Sequence, residues 1–114
     1  MVNYKPSNLD SIFHALADKT RRGIIIELTK GAAAASDLAA PHQMSLPAIS
    51  KHLKVLERAN LISREIKGRT HTFTLDTTQL ALAKSWIENQ QSFWESSLEN
   101  LEQFIKNNSG ESND

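Results

Sequence analysis

The strongest constraint on this chain is a change of hydrophobic period at Asn60. Before it, Leu46, Ile49, Leu53 and Leu56 recur at steps of three and four, which makes one apolar stripe on an α-helix. After it, residues 61–66 and 70–75 alternate and are rich in β-branched side chains, the period of a half-buried strand. Lys67-Gly68-Arg69 separates the two alternating runs, so they are expected to fold back as a β-hairpin around a Gly-centred turn. At about 100° per residue, Pro47, Lys51, Lys54 and Arg58 fall opposite the apolar stripe, with Ser50 and His52 on the flanks. A basic-fronted helix followed by a hairpin with two cations at its tip is therefore the centre of the molecule.

The remaining elements are predominantly helical. Leu9, Ile12, Phe13 and Leu16 predict a helix over 9–17. Thr20 is the expected N-cap of a second helix over 20–30, with Ile24, Ile25 and Leu28 inward and Gly31 as a left-handed C-cap. Ser36 and Asp37 are expected to start a short helix over 36–40, which Pro41 stops. Ser45 is the expected cap of the basic helix, 45–59, where Pro47 in the first turn removes only an N–H that would be unpaired anyway. Strands follow over 61–67 and 70–75, and Thr77 or Thr78 caps a long helix over 77–107. Leu80, Ala83, Ile87, Gln90, Trp94, Leu98, Leu101 and Ile105 hold helical spacing along it. The expected organisation is a polar arm (1–8), one domain (9–107) and a flexible tail (108–114). The expected fold class is mainly α with a small β-hairpin wing.

Charge qualifies what this arrangement can bind. The net charge is zero, but residues 45–71 carry +4 and residues 72–114 carry −5. Phosphate binding depends on local rather than total charge, so a basic middle is compatible with nucleic acid. The chain has no cysteine, which excludes a disulfide framework and thiolate metal ligands. No run of about 18 apolar residues suggests a membrane span, and the first residues lack a secretory apolar stretch. A cytoplasmic location is expected.

A short helix joined by a tight turn to a basic helix is helix-turn-helix logic. The second helix of such a pair fits a B-DNA major groove about 12 Å wide, and a basic hairpin tip can reach flanking backbone or minor groove. Ala17-Asp18-Lys19-Thr20-Arg21-Arg22, Ser45 through Ile62 with its Ser50-Lys51-His52-Leu53 centre, and Lys67-Gly68-Arg69 together resemble the ArsR family of winged-helix transcriptional regulators over residues 9–105. The resemblance implies a homodimer, usually a repressor, on a partly palindromic operator in double-stranded DNA.

Carried over position by position, it implies that Pro47, Ser50 and Lys51 enter the groove while Ser45 and Lys54 hold phosphate. His52 is a further candidate contact, and Lys67 and Arg69 serve the wing. Arg58 and Arg64 read instead as solvated or paired with Glu57 or Glu65. Leu46 stands where many relatives have a polar, base-reading residue; it either packs inward or touches a thymine methyl. The first and last helices are the implied dimer interface, through Leu9, Ile12, Phe13, Ile87, Trp94, Leu98, Leu101 and Ile105.

Many family members sense metals, but this chain has no Cys-x-Cys pair, no histidine in 77–107, and four histidines in separate elements. No metal site and no cofactor are expected. The aromatic-rich last helix could instead serve dimer packing, an apolar effector or a protein partner. No catalytic residues are assigned, because no nucleophile–base motif or phosphate-cradling glycine loop is present. A winged-helix interaction module without DNA binding, or a metal-responsive repressor with a non-standard site, are the alternative readings.

Overall fold

The computed structural model describes residues 8–112, with side chains to residue 108. The expected polar arm therefore lies outside the described residues except for Asn8, which opens the first helix. The elements run α1 (Asn8–Leu16), α2 (Lys19–Leu28), β1 (Ala33–Ala34), α3 (Ala35–Ala39), a 3₁₀ turn (Ala40–His42), α4 (Leu46–Arg58), β2 (Ile62–Lys67), β3 (Thr70–Leu75) and α5 (Thr77–Ser112). Internal contacts divide the chain into two compact units, Met1–Ala83 and Lys84–Asp114.

The first unit is built around the apolar stripe of α4. Ile49, Leu53 and Leu56 are buried and share one core with Ile12, Ile24, Leu28, Leu38, Leu61, Phe73 and Ala83. Helix α4 packs on α1, α2, α3 and β2, so its orientation is fixed from several sides. The sheet is antiparallel in the order β1-β3-β2, with Ala33 opposite Phe73 and Lys67 opposite Thr70. The hairpin is thus joined by a short third strand that sequence reading did not anticipate: two alanines carry no β-branched or alternating signal.

Local chemistry explains where the helices start and stop. Helix α2 is capped by Asp18, not Thr20; its carboxylate accepts the Arg21 N–H at 3.0 Å, in the third helical position. It ends at Leu28 with Thr29 as cap, and Gly31, at φ 140°, lies beyond the helix and outside the left-handed helical region. Helix α3 begins at Ala35, where the Asp37 carboxylate reaches back to the Ala34 N–H at 3.3 Å. Pro41 does not end the helical path; it sits in the first turn of the 3₁₀ segment, where a missing N–H costs nothing. Gln43 then turns left-handed at φ 52°, with Gln43 N–H donating to Ala40 and Met44 N–H to Ala39.

Ser45 caps α4 as expected, accepting the Ala48 N–H at 3.3 Å. At the far end Asn60 adopts φ 58°, Asn60 N–H donates to Glu57, and Leu61 N–H donates to Leu56. That is a Schellman ending, with buried Leu61 against buried Leu56 as its apolar clasp. The change of period at Asn60 is therefore a left-handed residue that redirects the chain into β2. Between β2 and β3 the loop is Gly68-Arg69, with positive φ (61°) at Gly68 only among the two, the type II′ arrangement that Gly favours.

Helix α5 begins under Asp76, whose carboxylate accepts the Thr78 N–H at 3.0 Å, rather than under either threonine. Within the first unit its opening turn is tied to α1 by a hydrogen bond from the Asn8 amide to Gln79. The helix continues to Ser112 instead of giving way to a tail near residue 107. In the second unit it presents charged residues on one side, with i,i+4 pairs Lys84–Glu88 (3.9 Å) and Lys106–Glu102 (3.6 Å). The other side is apolar, and Trp86, Ile87, Phe93, Trp94, Leu98, Leu101, Phe104 and Ile105 are 44–64% exposed. Among the described residues no helix is long and apolar enough to cross a membrane.

Candidate nucleic-acid interface

Burying Ile49, Leu53 and Leu56 forces the opposite face of α4 outward. Pro47, Lys51 and Lys54 are exposed on that face, Ser50 is half-buried beside them, and Ser45 is exposed at the helix start. Neither Lys51 nor Lys54 takes part in an ion pair among the described residues, so both ammonium groups remain available to an external anion. The Ser45 hydroxyl uses its oxygen as an acceptor in the cap and keeps its proton for donation. Arg58 is exposed too, but it borders a cavity of about 170 Å³ with Ser11 and His14 of α1, at the other end of the helix.

The structure does not place His52 with this set. Its side chain is 20% exposed, and Nδ1 lies 3.3 Å from Arg21 Nη1 and 3.7 Å from an Asp18 carboxylate oxygen. Arg21 in turn donates through Nε to the Ala15 carbonyl at 2.7 Å and through Nη2 to the His14 carbonyl at 3.0 Å. Arg22 donates to the Leu16 carbonyl at 2.8 Å. The two arginines thus satisfy carbonyls that the end of α1 leaves open, and His52 keys α4 onto that corner. Asp18 feels the same cluster. The Arg21 N–H holds its carboxyl below the usual 3.8 against the opposing effect of burial, and the neighbouring His52 and Arg21 side chains add to the lowering.

A second clasp joins α4 to the wing. Arg64 of β2 pairs with Glu57 of α4 at 2.5 Å, meets His71 Nδ1 of β3 at 3.1 Å, and stacks over the Phe73 ring at 4.9 Å. Arg64 is therefore a connector between helix and hairpin, as the pairing expected with Glu57 implies. At the tip, Lys67 and Arg69 are exposed; Lys67 has only a solvent-exposed partner, Glu65, at 3.5 Å. Between the tip and the start of α4 lies an open depression of about 360 Å³, bordered by Ala35, Ser36, Leu46, Arg69 and Thr70. Leu46 is 55% exposed there, so the apolar stripe begins at Ile49 and Leu46 is not part of the core.

Comparison with known proteins places this geometry. A helix-turn-helix domain model matches residues 16–65. The HTH-type transcriptional regulator Rv2034 of Mycobacterium tuberculosis is 38% identical over 84% of this chain and 87% of its own length. The transcriptional repressor SdpR of Bacillus subtilis is 37% identical over 71% of this chain and 90% of its own length. A solved ArsR-like transcriptional regulator from Rhodococcus sp. RHA1 superposes with a TM-score of 0.76 at 31% identity, covering 86% of this chain and 92% of that one. The chain belongs to the ArsR family of winged helix-turn-helix transcriptional regulators.

As an ArsR-family regulator it is a DNA-binding protein rather than an enzyme. The residues that sequence reading missed in this regulator are those that aim the helix: Asp18, Arg21, Gln43 and Asn60. Arg21 and Arg22 stand in the motif that suggested the family, but nothing in their spacing says that they cap α1. Of the residues expected at a dimer interface, Ile12 must be removed, because it is 0% exposed in the core of the first unit. Its helical spacing with Leu9 and Phe13 marks the inward side of α1, and those two are half-buried. Among the described residues, no three His, Asp or Glu side chains gather where they could hold a metal ion.

Proposed function

We propose that this ArsR-family regulator acts as a homodimeric repressor on a partly palindromic operator, with α4 in the major groove and the Lys67–Thr70 tip on adjoining backbone or minor groove. The observation that carries this reading is the pairing state of the cations. Lys51 and Lys54 project from the only face of α4 not committed to the core, without an ion pair among the described residues, whereas Arg21, Arg22 and Arg64 are engaged within the fold. Pro47, Ser50 and Lys51 face base edges in this reading; Ser45 and Lys54, with Lys67 and Arg69 at the tip, hold phosphate. His52 acts on DNA only indirectly, by holding α4 to α1 and α2.

Dimerisation is supported by the second unit. A helix that leaves Ile87, Trp94, Leu98, Leu101 and Ile105 in water carries more contiguous apolar surface than a lone soluble helix tolerates. A two-fold dimer presents two copies of α4, which call for half-sites about 34 Å apart, one turn of B-DNA. Leu9 and Phe13 of α1 remain candidate contributors. Repression follows the activity named for SdpR.

Retention of duplex DNA from the protein's own promoter region tests the proposal. Salt-sensitive retention that is lost on combining Lys51→Ala with Lys54→Ala is expected. No retention, or retention indifferent to both substitutions, would leave a winged-helix interaction module as the better description.

A further inference from the structure

We infer that Leu46 is a specificity-determining residue that reads a thymine 5-methyl group in the operator; this rests on the placement of α4 in the major groove given above. Leu46 is the first residue of α4, directly after the Ser45 cap, and lines one depression with Arg69 and Thr70 of the hairpin tip. Its period assigns it to the buried stripe, yet it is 55% exposed, beside the depression that also carries Arg69 and Thr70. An exposed cation, Arg69, borders the same depression, and Ser50 lies one turn along the helix from Leu46. Arg69 directs a phosphate-bearing ligand to this corner of the molecule.

A leucine carried against a base edge loses its water there, and only some edges compensate for that loss. In the major groove, guanine offers two acceptors, adenine an acceptor and a donor, and cytosine a donor; thymine alone adds an apolar group, the C5 methyl. Set against a purely polar edge, Leu46 strips water from a donor or acceptor and supplies nothing in exchange. Against thymine it buries methyl on methyl. The same side chain therefore rewards one base and penalises the others, which is how specificity arises from a residue with no hydrogen bond to give.

The test begins with selection of duplexes from a randomised library by the whole protein. Each thymine of the enriched sequence is then replaced in turn by deoxyuridine, which removes only the methyl group. One thymine per half-site is expected at which the replacement weakens binding about fourfold, the worth of one buried methyl. Leu46→Ala is expected to bind the two duplexes alike, and Leu46→Met, which keeps an apolar tip, to restore the difference. Leu46 lies outside the core, so unchanged thermal melting of both variants separates recognition from folding. If deoxyuridine is neutral at every position, or if Leu46→Ala keeps the full sensitivity, the role of Leu46 is overturned while the DNA reading stands. Failure to enrich any sequence, with no salt-dependent retention of DNA, would overturn the DNA reading itself.

Discussion

Helices α4 and α5 are both amphipathic, and they dispose of their apolar faces in opposite ways. In α4 the stripe of Ile49, Leu53 and Leu56 is wholly spent inside the first unit, and the polar face is left to do external work. In the second unit α5 does the reverse. Its charged face is internally paired through Lys84–Glu88 and Lys106–Glu102, and its apolar face is left in solvent. The exposed chemistry of a helix identifies its partner: free cations seek an anion, and free aromatic and aliphatic surface seeks more of the same. In the function proposed here, the pair supplies a DNA contact and a protein contact within one chain.

The largest effect that can break this comparison is on assembly. Trp94→Asp combined with Leu101→Asp puts charge on two apolar positions per chain, a loss on the order of 5 kcal/mol or more for a dimer that buries them. Sedimentation is expected to show dimer for the parent protein at micromolar concentration and monomer for the variant. Equal masses would remove α5 as the dimer surface. Next comes Leu53→Ala in α4. Leu53 is 1% exposed, so a cavity cost of about 2–5 kcal/mol is expected in chemical denaturation. A change under about 1 kcal/mol would contradict the assignment of that face to the core.

A smaller effect probes how the first unit closes around α4. Gly23 lies inside α2, and a Cβ added there would come within 2.5 Å of the His42 ring. Helix propensity favours alanine over glycine by about 1 kcal/mol, so the close approach offsets that gain in the parent protein. Gly23→Ala is expected to stabilise by about 1 kcal/mol only in a His42→Ala background. An equal gain in both backgrounds would show that the ring moves aside freely.

The smallest effect is that of Asp18. Its carboxyl is held below its usual value of 3.8, chiefly by the Arg21 N–H, so its contribution to stability is present above that value and lost as pH falls below it. Asp18→Asn keeps a cap acceptor but cannot titrate. It is expected to leave neutral-pH stability nearly unchanged and to flatten the loss of stability below about pH 4. A steeper acid loss in the variant would contradict the cap.

These contrasts also show why the chain was only partly readable in one dimension. Period and turn residues report burial and direction, and they located α4, the hairpin and α5 with their order. They could not report partners distant in sequence. His52 looked like a groove residue because the wheel places it on a flank, and only the fold brings Arg21 and Asp18 against it. The stripe extends to Leu46 and left core and groove both open for it; in the fold the core begins about one turn later, at Ile49. Asp18 and Asp76 outcompeted the neighbouring threonines as caps because a carboxylate is the stronger acceptor for a helix N–H. Left-handed Gln43 and Asn60 were invisible because neither position holds the glycine that usually announces such a turn.

The salt dependence of DNA binding, compared between one lysine from each helix, is the most direct test of the roles of α4 and α5. Lys54 is exposed on α4 without an ion pair among the described residues, whereas Lys84 on α5 is paired with Glu88. Each phosphate contact contributes about 0.9 to the slope of log affinity against log salt. Lys54→Ala, present twice in a dimer, is therefore expected to reduce the slope by about 1.8, and Lys84→Ala to leave it unchanged. Equal slopes for Lys54→Ala and the parent protein, or an equal reduction for Lys84→Ala, would contradict the assignment of α4 to DNA and of α5 to its own kind.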